Sequence, residues 1–419
     1  MTTGAEWAER AQAVIPNGMY GHQLVALLPD GYPQFFSKAK GATLWDADGK
    51  AYLDYMCGYG PNLFGYGHEA IDQAYIDQLR QGDTMTGPST VMVELAETLT
   101  GMISHADWAM FCKNGTDANS MAMMTARAHT GKKAILMAKG AYHGAAPWST
   151  PLKSGTTPED RANQFFYDYN NVESLERAVK ACAGDLAAIF ASPIRHDAFV
   201  DQEQPDPAYA QRARALCDEH GALLILDEVR CGFRLSRDCS WSAVGVEPDL
   251  SSWGKGVANG HPLSLLLGSN KARAAVASIY VTGSFWFSAA PMAASLTTLR
   301  LIRESDYLEH TIALGDRLRA GLGEVAGRHG YGLRQTGPSQ LPLILFTDDP
   351  EFKLGYAWNA GMMERGFYLH PWHNMFICNA MTEADIDRTI AAADEVFADM
   401  RKDLRPAGAE KLLFLKGLL

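Results

Sequence analysis

From residue 90 to residue 300 the apolar positions keep switching between two rhythms, one helical and one continuous. Residues 91–103 place apolar side chains at helical spacing, and a short apolar run, 107–112, follows them. The alternation then repeats. A helix over 117–130 is closed by Gly131 and followed by a strand over 133–138. Next come a helix over 171–182 and a strand over 186–191, then a helix over 207–220 stopped by Gly221 and the strongly apolar strand 222–226. Short strands at 250–253 and 263–268 complete the series. This pattern predicts an α/β unit, a mostly parallel sheet with helices on both faces. In such sheets ligands are held beyond the carboxyl ends of the strands, so those loops are where chemistry is expected.

The flanks read differently. The N-terminal residues are rich in Gly, Pro and aromatics, with a hairpin expected over 41–55 around Asp48-Gly49. After residue 305 a long amphipathic helix runs over 306–329 to Gly330, two apolar runs follow at 341–346 and 375–379, and a last helix starts after Thr382. Glu383 and Asp385 suit the positive end of that helix. The expected organisation is an N-terminal segment, 1–75, packing with a small α+β domain at 311–419, and a large domain at 76–310.

Composition narrows the partner classes. Of 419 residues, 37 are Lys or Arg and 48 are Asp or Glu, a net charge of -11 that argues against nucleic acid or an anionic membrane as main partner. No apolar run reaches the ~18 residues of a membrane span. Residues 1–12 are polar and acidic and lack the apolar stretch of a secretory signal. The seven cysteines form no C-x-x-C pair and no zinc spacing. The chain is therefore expected in the cytoplasm, with reduced thiols and no metal site.

Four loops carry candidate chemistry. Asn114-Gly115-Thr116 lies between a strand and a helix, where freed backbone N–H groups suit either a phosphate or an ordinary helix cap. Gly140-Ala141-Tyr142-His143-Gly144 could present the Tyr142 ring to a flat ligand. Asp227 ends a buried strand, and a carboxylate there needs a partner such as a protonated ring nitrogen or a metal. A P-loop ATPase is excluded, because none of the Gly-Lys pairs has the upstream Gly and the following Ser or Thr. Lys255 sits between Gly254 and Gly256 after a core strand, placed to be a nucleophilic amine toward a carbonyl compound.

Together these are the parts needed to hold pyridoxal 5'-phosphate, and here the chain resembles the class III aminotransferases of the fold-type I pyridoxal-phosphate enzymes. Within them it is most similar to the glutamate-1-semialdehyde aminomutase branch. The resemblance covers about residues 10–398 and is carried by Ile15-Pro16-Asn17-Gly18, Gly65-Tyr66-Gly67-His68, Asp227-Glu228-Val229-Arg230-Cys231-Gly232-Phe233-Arg234 and Gly254-Lys255. It implies a mixed, mostly parallel seven-stranded sheet in the large domain. It also implies that Lys255 is the lysine linked to the cofactor and that Asp227 pairs with the pyridinium nitrogen. Val229 and Tyr142 would pack on the two ring faces, with Asn114, Gly115, Thr116 and His143 among the cofactor contacts. Ser284, beside Phe285, aligns with a hydroxyl that reaches the phosphate of a neighbouring subunit, which implies a homodimer with shared active sites.

Departures from the family pattern bear on the substrate. Leu24 stands where the aminomutase branch has an Arg for the substrate carboxylate, unless the loop is shifted and another Arg serves. This speaks against the aminomutase reading and weakens a β-amino-acid aminotransferase. Arg195 and His196 follow Ser192-Pro193, where the family has Glu-Pro; Arg195 either binds a keto-acid carboxylate or forms a structural pair, and Arg230 is the next candidate. The aromatics Tyr20, Trp148, Phe285, Trp286 and Phe287 either wall a pocket for a bulky amine or form a dimer interface. The segments 19–22, 55–57, 283–288 and 370–376 are similar to amine:pyruvate aminotransferases of the hydrolysed-fumonisin type. The resemblance thus implies transfer from a primary amine donor to a keto-acid acceptor such as pyruvate, by a ping-pong mechanism.

Overall fold

The computed structural model describes residues 2–25, 28–29 and 31–400. They fall into two units, one drawn from Met1–His68, Ala198–Asp201 and Glu309–Leu419, the other from Glu69–Asp197 and Gln202–Leu308. Residues 401–419 of the expected C-terminal domain lie outside the described residues.

The first unit begins with α1 (Gly4–Val14), whose N-terminus is closed by a reciprocal Thr3–Glu6 capping box. Strands β1 (Phe36–Lys40), β2 (Thr43–Asp46) and β3 (Ala51–Asp54) follow as an antiparallel meander. The expected hairpin turn is present between β2 and β3. Asp46 Oδ1 holds it by accepting from the Asp48 and Lys50 N–H groups at 3.0 and 2.8 Å.

In the second unit, α2 (Glu69–Gln81) and α3 (Val91–Met102) lead into β4 (Trp108–Cys112) and α4 (Gly115–Thr130). The chain continues through β5 (Ala134–Ala138), β6 (Gln164–Tyr167), α5 (Val172–Ala181), β7 (Leu186–Ala191), α6 (Pro207–His220) and β8 (Leu223–Asp227). It ends with β9 (Leu250–Trp253), β10 (Ser264–Gly268), α7 (Arg273–Ser278) and α8 (Ala289–Glu304). The strands form one seven-stranded sheet in the order β4-β10-β9-β8-β7-β5-β6. Only β10 runs antiparallel to its neighbours; the other pairings are parallel. This is the mixed, mostly parallel sheet the sequence predicts. Strands β5, β7, β8, β9 and β10 are buried at every position, which is why they read as unbroken runs rather than as alternation. Gly131 and Gly221 end α4 and α6 in the left-handed conformation at φ 67° and 61°, as their positions predict.

The first unit resumes with α9 (Tyr307–Arg328), β11 (Leu333–Thr336), β12 (Leu343–Phe346), α10 (Lys353–Glu364), β13 (Phe367–Tyr368) and α11 (Glu383–Asp399). β13 joins the first sheet parallel to β3, so the order there is β1-β2-β3-β13. The apolar run at 375–379 forms no strand. Its N–H groups donate singly to Pro342, Tyr55, Gln340 and Leu63 carbonyls, so its backbone is satisfied by several segments rather than one ladder. Among the described residues no helix is long and apolar enough to cross a membrane.

Candidate active site

The carboxyl end of β8 carries Asp227, 6% exposed. Its Oδ2 accepts from Asn119 Nδ2 at 2.8 Å and from His143 Nδ1 at 2.8 Å, while Oδ1 accepts from the Val229 N–H at 3.1 Å. A carboxylate offers only acceptors, so His143 donates from Nδ1 and its tautomer is fixed. The ring of His143 is buried and lies against Phe190, with centroids 4.6 Å apart. The buried carboxylate thus has donors supplied from α4, from the loop after β5 and from its own turn, which offsets its desolvation.

Directly beyond the end of β8's neighbour β9, the chain turns sharply. Gly254 is extended, and a Cβ there would stand 2.5 Å from Ser264 Oγ, so the approach of β10 requires glycine. Lys255 then adopts φ 47°, a left-handed conformation that costs a non-glycine residue about 1–3 kcal/mol. Such strain marks the residue as held in place by its surroundings. Burial lowers the Lys255 amine from 10.5 to about 7; Arg230 and Arg234 push the same way and Asp227 opposes them. An amine of this kind is largely neutral just above neutrality, and so nucleophilic.

The N-terminus of α4 lies beside these groups. Asn114 caps it, accepting from the Asp117 N–H at 3.0 Å and donating to Asp117 Oδ2 at 2.8 Å, so its side chain is committed to the helix cap. Gly115 and Thr116 are in the first turn, where N–H groups have no intrahelical acceptor and the helix dipole favours an anion. A Cβ on Gly115 would lie 2.8 and 2.9 Å from the Val229 γ-carbons, and one on Gly254 would lie 3.5 Å from Val229 Cγ1. Val229 therefore stands between the start of α4 and the residue before Lys255. Thr116 Oγ1 accepts from the Ala145 N–H at 3.1 Å, which ties the loop bearing Tyr142 and His143 to the same helix end. The Tyr142 ring is 37% exposed, and burial of the rest raises its phenol above the ordinary value while Arg230 opposes.

The substrate candidates separate. Arg195 donates to Asp197 Oδ2 at 3.0 Å and to Glu203 Oε1 at 2.6 Å, and its backbone bridges Glu203, so the structural-pair alternative describes it. These two carboxylates engage two of the five N–H donors of the guanidinium. Arg230 donates to the His196 carbonyl at 3.0 Å and is coupled to Lys255 and Asp227. His196 is buried, and burial followed by Arg230 holds its ring well below the ordinary value, in the neutral form. Trp148 is 9% exposed and belongs to the apolar core. It packs against Phe190 at 5.9 Å and donates to Ser120 Oγ at 3.1 Å. Trp286 also packs on that core, while Ser284 and Phe285 stand on an exposed turn. In the first unit, exposed Tyr20 and half-buried Leu24 flank the turn Gly21–Gln23.

Sequence reading missed Asn119 and the buried Glu228. Asn119 shares the inward face of α4 with Ala118, Met121, Ala122, Thr125 and Ala126, and a lone Asn on that face was the available signal. Glu228 accepts from the Ser240 N–H and hydroxyl at 2.6 and 2.7 Å, and burial raises it from 4.5 to about 7.

The chain is similar to known proteins over most of its length. The family model of class-III aminotransferases matches residues 29–337. An aminopentol aminotransferase of Sphingopyxis macrogoltabida is 58% identical over 395 residues, covering 94% of each chain. A structure of the FumI protein of Sphingopyxis sp. MTA144, in its PLP internal aldimine form, superposes with a TM-score of 0.96 at 56% identity, covering 97% of this chain and 99% of that one. A glutamate-1-semialdehyde 2,1-aminomutase of Leptothrix cholodnii is 32% identical over 433 aligned positions, covering 94% of this chain and 98% of the other. The chain belongs to the class III aminotransferase family.

Proposed function

We propose that this chain is a pyridoxal-phosphate-dependent aminotransferase. It moves an amino group from a primary amine with a bulky or long hydrocarbon part to a keto acid such as pyruvate. The observation that carries the reading is a donor-held Asp227 carboxylate electrostatically coupled to a lysine amine lowered to about 7. When bound, the cofactor supplies an electrophilic aldehyde and a ring that stores the electrons released at the substrate carbon.

Each residue has a defined task. Neutral Lys255 is the nucleophile that would hold the cofactor, and its amine, once freed by the donor, would carry the proton between the substrate carbon and the cofactor carbon. Asp227 Oδ1 retains acceptor capacity for a ring N–H and so keeps that proton in place. Val229 and Tyr142 cover the two ring faces. The Gly115 and Thr116 N–H groups at the α4 terminus hold the phosphate. Arg230 meets the carboxylate of the acceptor, since Arg195 is committed elsewhere. The amine leaves its nitrogen behind in one half-reaction and the keto acid collects it in the other.

The donor class rests on Leu24 and on a relative. Leu24 supplies no clamp for a donor carboxylate. The 58% identical relative is named for an aminopentol. Within this reading the cofactor-binding role falls to the large domain, 76–310, with 1–75 and 311–419 completing the protein. Ser284 reaches the cofactor phosphate of a second copy in a homodimer. The seven cysteines are buried and form no disulfide among the described residues, which suits a reducing, cytoplasmic setting.

The test is alanine formation from pyruvate with a panel of amines. Long-chain primary amines should give alanine, and glutamate-1-semialdehyde should not be isomerised. Isomerisation without alanine formation would contradict the proposal.

A further inference from the structure

One of the polar contacts behind Asp227 comes from a residue that no motif marks. Asn119 lies just past the first turn of α4 and is 1% exposed. Its carboxamide nitrogen donates to Asp227 Oδ2 at 2.8 Å and to the His143 carbonyl at 2.9 Å. Both partners are acceptors, so only the amide nitrogen can face them and both of its hydrogens are engaged. His143 Nδ1 meets the same Oδ2 at 2.8 Å. An sp² oxygen has two lone pairs, and these two N–H donors fill both. Oδ1 receives the Val229 N–H at 3.1 Å and keeps one lone pair.

That count has a geometric result. The terminal torsion of an aspartate is soft and roughly two-fold, so an unrestrained carboxylate can exchange its oxygens. Here Oδ2 is pinned by a rigid helix on one side and a buried imidazole on the other. The remaining acceptor site is on one defined oxygen, pointing in one direction. Asn119 also fixes the His143 carbonyl, and so holds in place the loop segment from which the imidazole projects.

We propose that Asn119 is a positioning residue: it locks the Asp227 carboxylate, directly and through His143, so that Oδ1 alone is presented to the cofactor's ring nitrogen. The proposal rests on the aminotransferase reading above. Asn119 acts through Asp227 and contacts no substrate. Removing it takes away one of the donors that favour the charged carboxylate and frees its rotation. Replacing it with Asp puts a second carboxyl against the first, and two carboxylates that close cannot both ionise without cost.

The two variants therefore shift pH dependence in opposite senses. In cofactor-loaded protein, Asn119→Ala should lower kcat by about tenfold or more, the scale of one hydrogen bond to a charged group. Its KM for the amine should stay within about twofold of wild type. The acid limb of its kcat/KM profile should move to higher pH, and the pH titration of the bound cofactor's visible band, read without substrate, should move with it. Asn119→Asp, near-isosteric, should instead lose activity as pH rises. If Asn119→Ala does not fold, the alkaline loss in Asn119→Asp carries the test. Both variants keeping the wild-type limbs and band titration, whatever their thermal midpoints, would overturn the positioning role. A wild-type protein with no amine-responsive band would overturn the aminotransferase reading and this proposal together. A wild type that responds normally beside unaltered variants overturns this proposal alone.

Discussion

Lys255 is a lysine that gives up its proton near neutrality, and its burial is the main cause. The sign of the consequence is definite. Below about 7 the amine is protonated and cannot attack an aldehyde; above it the neutral form dominates. Capture of pyridoxal phosphate by cofactor-free protein should therefore speed up about tenfold per pH unit below 7 and level off above it, as followed by stopped-flow absorbance. A rate that keeps rising to pH 10 would mean an ordinary surface-like lysine. Glu228 gives a stability prediction with its own sign. Burial raises it from 4.5 to about 7, so the folded form holds a proton that the unfolded form releases earlier. Its contribution falls from pH 4.5 to 7 and is constant beyond. Glu228→Gln should be more stable relative to wild type at pH 8 than at pH 5, by denaturant unfolding at each pH; an equal difference at both would refute this. Lys255 and Asp227 were legible because each follows an apolar strand directly. Arg195 was not, because one of its partners, Glu203, reaches it only when the loop folds back.

At the scale of elements, α4 does the most for the site. Its first turn offers N–H groups, its inner face holds Asn119, and its start lies against Val229. Gly115→Ala should force Val229 or the helix end to shift, since the new Cβ would sit 2.8 Å from a Val229 methyl. We expect a stability loss of about 1–3 kcal/mol and weaker cofactor retention, read by dialysis and thermal unfolding. Unchanged retention would mean that the α4 terminus does not hold the phosphate. The strands and helices with strong period were readable, whereas others were hidden for physical reasons. β6 is a four-residue edge strand paired only with β5, half-buried, and too short to show a rhythm. α8 buries Ala289, Ala290, Ala294, Ser295 and Thr298 beside Met292, Leu299 and Ile302, so small and polar side chains dilute its apolar stripe in the sequence. The run at 375–379 was apolar because it is buried, although it pairs with no single strand.

For the whole molecule, the α/β class followed from alternation, which marked six of the seven strands, and the seven-stranded sheet from the family resemblance, while the carboxylate clamp followed from neither. It joins residues 119, 143 and 227, which no local spacing connects. The exposed aromatics Tyr280, Phe285 and Phe287, 87%, 65% and 39% exposed, are the surface that the proposed homodimer would cover. Wild-type protein should sediment as a dimer, and Phe285→Asp should dissociate it and lower cofactor occupancy; a monomeric wild type with full activity would contradict shared sites. The central claim is that one site runs two opposite half-reactions. Its most direct test is the visible band of the bound cofactor in wild-type protein, followed as a long-chain primary amine is added without keto acid. The band should bleach at one amine per site, and pyruvate alone should then restore it with release of one alanine per site. A band that no amine bleaches, or that pyruvate cannot restore, would contradict the account.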